Sequence, residues 1–317
     1  MKILITGASG FIGSKLLKVL QNSKFRLAAT YRSAPEEIKD FVVTPFIVGN
    51  INAHSNWSRA LIGQEVVVHT AARNHLMIED KSNILQEYRK VNVDGTLNLA
   101  LQAVNAGVKR FIFISSIKVN GEQTKIGSLF KADDVPEPED AYGITKLEAE
   151  QGLQKIAFET GLELVIIRPT IVYGPGVKGN FNNIVKLLRR ELPLPFGAVN
   201  NKRSLIGLEN LVDLIITCVD HPGAINQVFL ASDGHDLSTT ELCQKVCKAI
   251  GKSSNLIAVP EWLLRFTFRL IGKKAIEIRL LGSLQVDIDK AKDLLGWTPP
   301  FTVDECLSSF IVDDNRD

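Results

Sequence analysis

Charge of one sign is missing from this sequence, and so are long apolar runs. Its 317 residues carry a formal net charge of only +2. A nucleic-acid binder concentrates basic residues in a patch. Here Arg189-Arg190 and Lys273-Lys274 are isolated pairs, read as solvated helix faces, and no nucleic-acid partner is expected. The most apolar late stretch, EWLLRFTFRLIG at 261–272, contains Arg265 and Arg269. It falls well short of the roughly 20 residues that a membrane span needs. It reads as a buried or interface helix, with peripheral membrane contact as the lesser alternative. No targeting segment is visible, because KILITGASG is too short and glycine-rich for a signal peptide. Cysteine is scarce. Cys218, Cys243, Cys247 and Cys306 have no histidine near them in sequence, so they read as small core residues and no metal site is expected. Disulfides are not expected either, and the expected location is the cytoplasm. Internal repeats and low-complexity tracts are absent.

What remains is ordinary for a globular chain: 45% hydrophobic and 23% charged residues. The length favours two lobes. Short, continuously apolar runs alternate with helical stretches in the first half. KILITG, FRLAATY, EVVVHTAA, RFIFISS and LELVIIRP read as strands, with helices over Phe11–Gln21, in a long region through Val104, and over Ala141–Thr160. Runs without alternation suit a parallel sheet covered on both faces. Strand–helix alternation implies right-handed crossovers, hence an α/β, doubly wound Rossmann-type sheet. The rhythm breaks after Pro169. A helix is expected at Ile184–Glu191, one more strand at NQVFLAS, and short helices beyond Gly234. The expected domains are a dinucleotide-binding unit, 1–168 plus about 203–233, and a smaller, mostly helical substrate lobe, 169–202 plus 234–317.

TGASGFIG, Thr6–Gly13, follows a strand and opens a helix, with glycines at 7, 10 and 13. Gly7 and Gly10 permit a tight turn and close approach of a pyrophosphate. Gly13 lets the helix pack against the strand, and the phosphates sit on the helix N-terminus. An acid ending the second strand would select NAD. Tyr31 and Arg32 stand there instead. Arg32 is suited to a 2′-phosphate and points to NADP(H), unless it is a solvent-facing loop residue. Glu36 and Glu37 keep NAD(H) open.

AYGITK, 141–146, sets a tyrosine and a lysine four positions apart on one helix face. A free phenol has a pKa of about 10, so a base at neutral pH needs a shift of a few units. The ammonium of Lys146 supplies positive charge beside Tyr142, making the phenol a candidate acid/base for hydroxyl–carbonyl interconversion. Ser115 and Ser116 end an apolar strand at the sheet edge where an α/β cleft lies, so a hydroxyl there can polarise a substrate oxygen.

These motifs together resemble the extended short-chain dehydrogenase/reductase family, in its nucleotide-sugar epimerase, dehydratase and 4-ketoreductase branch, over nearly the whole chain. The resemblance implies Ser116, Tyr142 and Lys146 as catalytic residues. It implies a dinucleotide held by Gly7, Gly10, Phe11, Ile12, Gly13, Arg32, Asn50, Ile51, Ala71, Ala72, Asn92, Lys146 and Pro169. It places Asn180, Phe196, Arg203 and Arg279 on the nucleotide sugar, with Lys118 a further candidate at the pocket. Asn120 replaces the usual tyrosine after the serine, and Asn50 a usual aspartate. The activity implied is hydride transfer at C4 of a UDP-linked sugar, with reduction of a 4-keto-6-deoxy sugar for surface polysaccharide as the leading reading. The alternatives are a UDP-hexose 4-epimerase and a non-catalytic dinucleotide-binding scaffold. A 4,6-dehydratase fits less well, since Ile117 and Lys118 follow the serine where an acid pair is usual. A homodimer is an expectation by analogy.

Overall fold

The apolar runs pair as a parallel sheet. The computed structural model describes residues 1–34, 43–74, 83–177 and 179–313. Its strands are β1 (Lys2–Thr6), β2 (Arg26–Tyr31), β3 (Val43–Ile47), β4 (Val66–His69), β5 (Arg110–Ile114), β6 (Glu163–Pro169), β7 (Ile171–Tyr173), β8 (Leu205–Gly207) and β9 (Gln227–Ala231). Seven of them form one all-parallel sheet in the order β3-β2-β1-β4-β5-β6-β9. The strand order reverses between β1 and β4, and a cleft forms there, beyond the carboxyl ends.

Helices α1 (Phe11–Leu20), α2 (Ser58–Leu61), α3 (Ile84–Arg89), α4 (Thr96–Asn105), α5 (Ala141–Thr160) and α7 (Leu208–Asp220) cover the two faces. Ile3, Ile5, Val66 and Val68 pack on one side with Leu16 of α1 and Leu211 of α7. Leu4, Val67, Phe111 and Phe113 pack on the other with Leu99 of α4 and Leu153 of α5. Central strands buried on both faces are what the unbroken apolar runs require. Helix α5 starts where the Asp140 carboxylate accepts the Gly143 N–H at 2.7 Å and ends at Gly161, whose φ is 76°.

A second lobe is built from α6 (Asn180–Arg189), α8 (Thr239–Ala249), α9 (Glu261–Leu270), α10 (Lys274–Leu281) and α12 (Val303–Asp313), while α11 (Asp289–Leu295) sends Ala291 and Leu295 into the core of the main sheet. Most of them share a separate core containing Phe181, Leu188, Leu242, Val246, Leu264 and Leu307. The pair β7–β8 lies off the main sheet and runs parallel. It is bound to the loop after β9 by Asp233, which accepts the Tyr173 hydroxyl at 2.6 Å and the Gly207 N–H at 2.8 Å.

Three expectations need adjusting. Strand β3 is not among the expected strands, because Pro45 interrupts its apolar run; VTPFI is an edge strand, where a proline is tolerated, and it buries only Val43. Helix α6 begins four residues earlier than the periodicity suggests, at Asn180. The stretch 261–272 is helical through Leu270, but most of its large side chains are exposed rather than buried. Among the described residues no helix is long and apolar enough to cross a membrane.

Candidate active site

A cleft of about 1090 Å³ opens over the carboxyl ends of β1, β5 and β6. Gly10, Phe11 and Ile12 of the glycine loop line it, with Arg32, Ala72, Ser116, Tyr142, Lys146 and Pro169. The sequence separations are large, up to 159 positions between Gly10 and Pro169, and the sheet brings them together.

The glycine loop is cut to a tight fit. Gly7 has φ +71° and lies so close to the next strand that a Cβ there would stand 2.7 Å from the Ala71 nitrogen. A Cβ on Gly13 would stand 2.3 Å from the Gly7 carbonyl oxygen. Helix α1 starts at Gly10 with no side-chain cap, so its first N–H groups face the cleft without a partner from a capping residue. Lys18, in the last turn of α1, and Arg32 add positive charge to the cleft lining, while Lys15 is paired to Glu209 at 2.8 Å. This donor set fits a dinucleotide pyrophosphate.

Asn92 lies behind the wall, in a π-helical turn (Lys90–Gly95) between α3 and α4. Its side chain accepts the Arg73 N–H at 2.8 Å, and donates to the Arg73 carbonyl at 3.1 Å and the Thr145 hydroxyl at 3.2 Å. It fixes the loop after β4 to the turn of α5 that carries Lys146. Asn50 and Ile51 do not reach the cleft wall. Asn50 is exposed and its carbonyl accepts from Asn52 and Ser55, while Ile51 packs against the core beside Gly95. Glu36 and Glu37 lie outside the described residues.

Tyr142 and Lys146 stand one turn apart on α5, with the ammonium 5.9 Å from the phenol ring centre. Lys146 is buried. Its Nζ donates to the Ile114 carbonyl at 2.8 Å and sits 4.4 Å over the Phe113 ring. Burial lowers its pKa from 10.5 to about 7, against the opposing pull of Glu150. The phenol moves the other way from the sequence expectation. Burial, with the charge of Asp140 and contact with Tyr88, pushes Tyr142 above the ordinary phenol range. In the protein alone, desolvation holds Tyr142 in its protonated form. Among the described residues no side chain bonds its hydroxyl.

Ser115 and Ser116 divide their roles. Ser115 is buried and donates to Glu150 at 2.5 Å. Ser116 caps a short 3-10 turn, accepting the Lys118 N–H at 3.3 Å, and leaves its hydroxyl proton free for the cleft.

Beneath them runs a network that the sequence did not announce. Glu150 and Arg168 form a buried pair at 2.6 Å. Arg168 also donates to Asn120 at 3.0 Å. Asn120 is thus a buried partner of Arg168 and not a pocket wall. The one local signal was Glu150 four residues beyond Lys146, on the same face of α5. Lys118 does not line the cleft, because Glu122 and Asp140 hold its ammonium.

The substrate-side residues are spread more widely. Asn180 is the first residue of α6. Phe196 is buried in the second-lobe core. Arg203 is buried too, donating to the Ile278 and Gly282 carbonyls at 3.3 and 3.0 Å, and burial with the nearby Arg279 lowers its pKa to about 10. Arg279 is exposed and has no ion pair among the described residues. The four cysteines are buried and free, and among the described residues no metal-binding cluster occurs.

Residues 3–230 match the model of the NAD dependent epimerase/dehydratase family. A "UDP-glucose 4-epimerase" of Vibrio cholerae is 50% identical over 320 residues, covering 99% of this chain and 97% of that protein. A "3-beta-hydroxysteroid dehydrogenase" of Mycolicibacterium neoaurum is 28% identical over 97% of this chain and 89% of its own. The solved UDP-glucuronic acid 4-epimerase of Bacillus cereus, in complex with UDP-glucuronic acid and NAD, superposes with a TM-score of 0.78 at 23% identity, covering 99% of both chains. The chain therefore belongs to the NAD-dependent epimerase/dehydratase family, within the extended short-chain dehydrogenases, and is an NAD(P)-dependent enzyme.

Proposed function

We propose that this protein interconverts C4 epimers of a UDP-linked hexose or N-acetylhexosamine. The observation that carries the reading is the meeting of Ser116, Tyr142 and Lys146 on one wall of the cleft whose opposite end is the glycine loop. The V. cholerae relative favours epimerisation over the reductase that the sequence first suggested.

A dinucleotide bound along the glycine loop supplies the hydride acceptor and donor. The chain's own groups handle the proton and the fit. Ser116 directs its hydroxyl at the sugar's O4 and holds that oxygen in line with Tyr142. Tyr142 takes the O4 proton as the C4–H bond breaks, and gives it back when hydride returns to the opposite face of the 4-keto sugar. Positive charge from Lys146 favours the phenolate. Burial leaves this ammonium near its titration point and the phenol above its ordinary range, so the further positive charge that favours the phenolate would come from an oxidised dinucleotide held in the cleft. On the sugar-nucleotide side Arg279 is the cation free to pair with the diphosphate, and Arg203 holds the backbone next to it.

A second reading rests on Arg32 at the cleft rim, where a 2′-phosphate would lie. It makes the protein an NADPH-dependent 4-ketoreductase. One experiment separates the two. Purified protein is incubated with UDP-glucose and UDP-N-acetylglucosamine without added cofactor, and C4 epimers are followed by NMR. Epimer formation supports the first reading. No epimerisation, with stoichiometric NADPH oxidation on a UDP-4-keto-6-deoxy sugar, replaces it with the second.

A further inference from the structure

Helix α9 has two unlike faces. Leu264 and Phe268 face inward and join the second-lobe core. At 100° per residue, Trp262, Leu263, Phe266 and Leu270 fall within about 100° of the opposite circumference. All four are exposed, Trp262 and Leu270 at 70% and Phe266 at 57%, and Ile271, just beyond the helix end, is exposed at 58%. Single exposed apolar residues need no explanation, but a contiguous aromatic and aliphatic stripe marks an interaction surface.

The charges beside the stripe indicate what covers it. Residues 261–277 carry four cations, Arg265, Arg269, Lys273 and Lys274, against two carboxylates. Those two, Glu261 and Glu277, are taken by Arg265 and Arg269. Lys273 and Lys274 are exposed and have no ion pair among the described residues. This local excess of two equals that of the whole chain.

We propose that α9 docks this enzyme onto an anionic lipid bilayer, lying in the plane of the headgroups. At ten residues the helix is about 15 Å long, too short to span. Trp and Phe on one side with Lys and Arg beside them is the pattern of an interfacial helix. A second copy is the weaker occupant, because a two-fold contact through this face would bring two copies of its unpaired cations into one interface with no added carboxylate. The proposal is independent of which sugar reaction the cleft performs.

The tryptophans make the test direct. Trp57 is 0% and Trp297 5% exposed, so Trp262 is the one able to report a change of surroundings at the surface. The full-length protein is mixed with vesicles of phosphatidylcholine alone, or of phosphatidylcholine with phosphatidylglycerol. Docking predicts a blue shift of the fluorescence and co-sedimentation with the anionic vesicles, both weakened by salt. Phe266→Glu with Leu270→Glu keeps the reporter and should weaken vesicle binding by roughly tenfold or more, with turnover in solution unchanged. Lys273→Glu with Lys274→Glu should do the same through charge alone. Absence of both shift and sedimentation on anionic vesicles overturns the proposal. So does a shift without lipid that follows protein concentration and a doubled mass by light scattering, which assigns the face to a second copy.

Discussion

Burial sets the protonation of both Tyr142 and Lys146. The phenol is held up and the ammonium is lowered to about 7, so the resting pair shares few charges. Replacing Tyr142 by Phe removes one oxygen that no described side chain bonds. Folding should be unchanged, and turnover should fall by about 10²–10⁴, the usual share of a positioned acid/base. A scaffold with no chemistry would lose nothing, which makes steady-state assay of this variant the test of enzymatic function. Lys146 predicts a pH dependence of stability in cofactor-free protein. Between its folded value near 7 and its unfolded 10.5, the unfolded chain holds a proton that the folded chain lacks. Stability from this group is therefore lowest below about pH 7 and rises with pH across that window. Lys146→Met removes the dependence while leaving the Ile114 carbonyl without its donor. The melting temperature of Lys146→Met relative to the parent should be most favourable at the acid end and should decline as pH rises. A constant difference across the range would rule out a lowered lysine pKa.

At the scale of the element, the glycine loop and α1 act together. Gly13→Ala forces a methyl to within 2.3 Å of the Gly7 carbonyl, so α1 must move away from β1. The loop then no longer aims its N–H groups at a pyrophosphate. Affinity for NAD(H) and NADP(H), measured by calorimetry, should fall by at least about tenfold, since hydrogen bonds to a charged group are worth roughly 1.5–3 kcal/mol each. The pair Glu150–Arg168 joins α5 to β6 below the site. Glu150→Gln leaves a buried guanidinium without its counter-charge and should cost about 3–5 kcal/mol in chemical denaturation. These two elements differ in how plainly the sequence shows them. The loop is local, seven residues with fixed spacing, and β1 and β5 are continuous apolar runs. The network is not local: Glu150 meets Ser115 across 35 positions and Arg168 across 18. No spacing rule links them. Strand β3 was hidden for another reason, since Pro45 interrupts its run and reads against a strand, though an edge position tolerates it. The bare side of α9 was hidden because an amphipathic pattern records two faces and not what covers each.

The largest scale is the joint between the lobes. The chain passes from β6 into the second lobe and comes back through β8 and α7, so neither lobe is a continuous segment. The returning segment is bound from several directions. Asn210 of α7 donates to Asp233 at 2.7 Å and to the Phe301 carbonyl at 2.8 Å, and its own carbonyl accepts the Phe301 N–H at 3.0 Å. Arg203 and Ser204 pair with Leu237 and Leu284 through the backbone. Asp233, which ties β7 and β8 together, is itself buried enough that its carboxyl is raised despite three hydrogen bonds. Separating the lobes would break the Tyr173–Asp233 bond and leave the Tyr173 hydroxyl without its partner, while Asp233 keeps Asn210 and the Gly207 N–H. The prediction is that unfolding ignores the domain boundaries expected from sequence. Calorimetry should show a single transition. A dinucleotide at 100 times its dissociation constant should add about 2.7 kcal/mol and move that whole transition upward. Two transitions, of which only one responds to the dinucleotide, would mean that the lobes fold separately and that the Asp233 joint does not couple them.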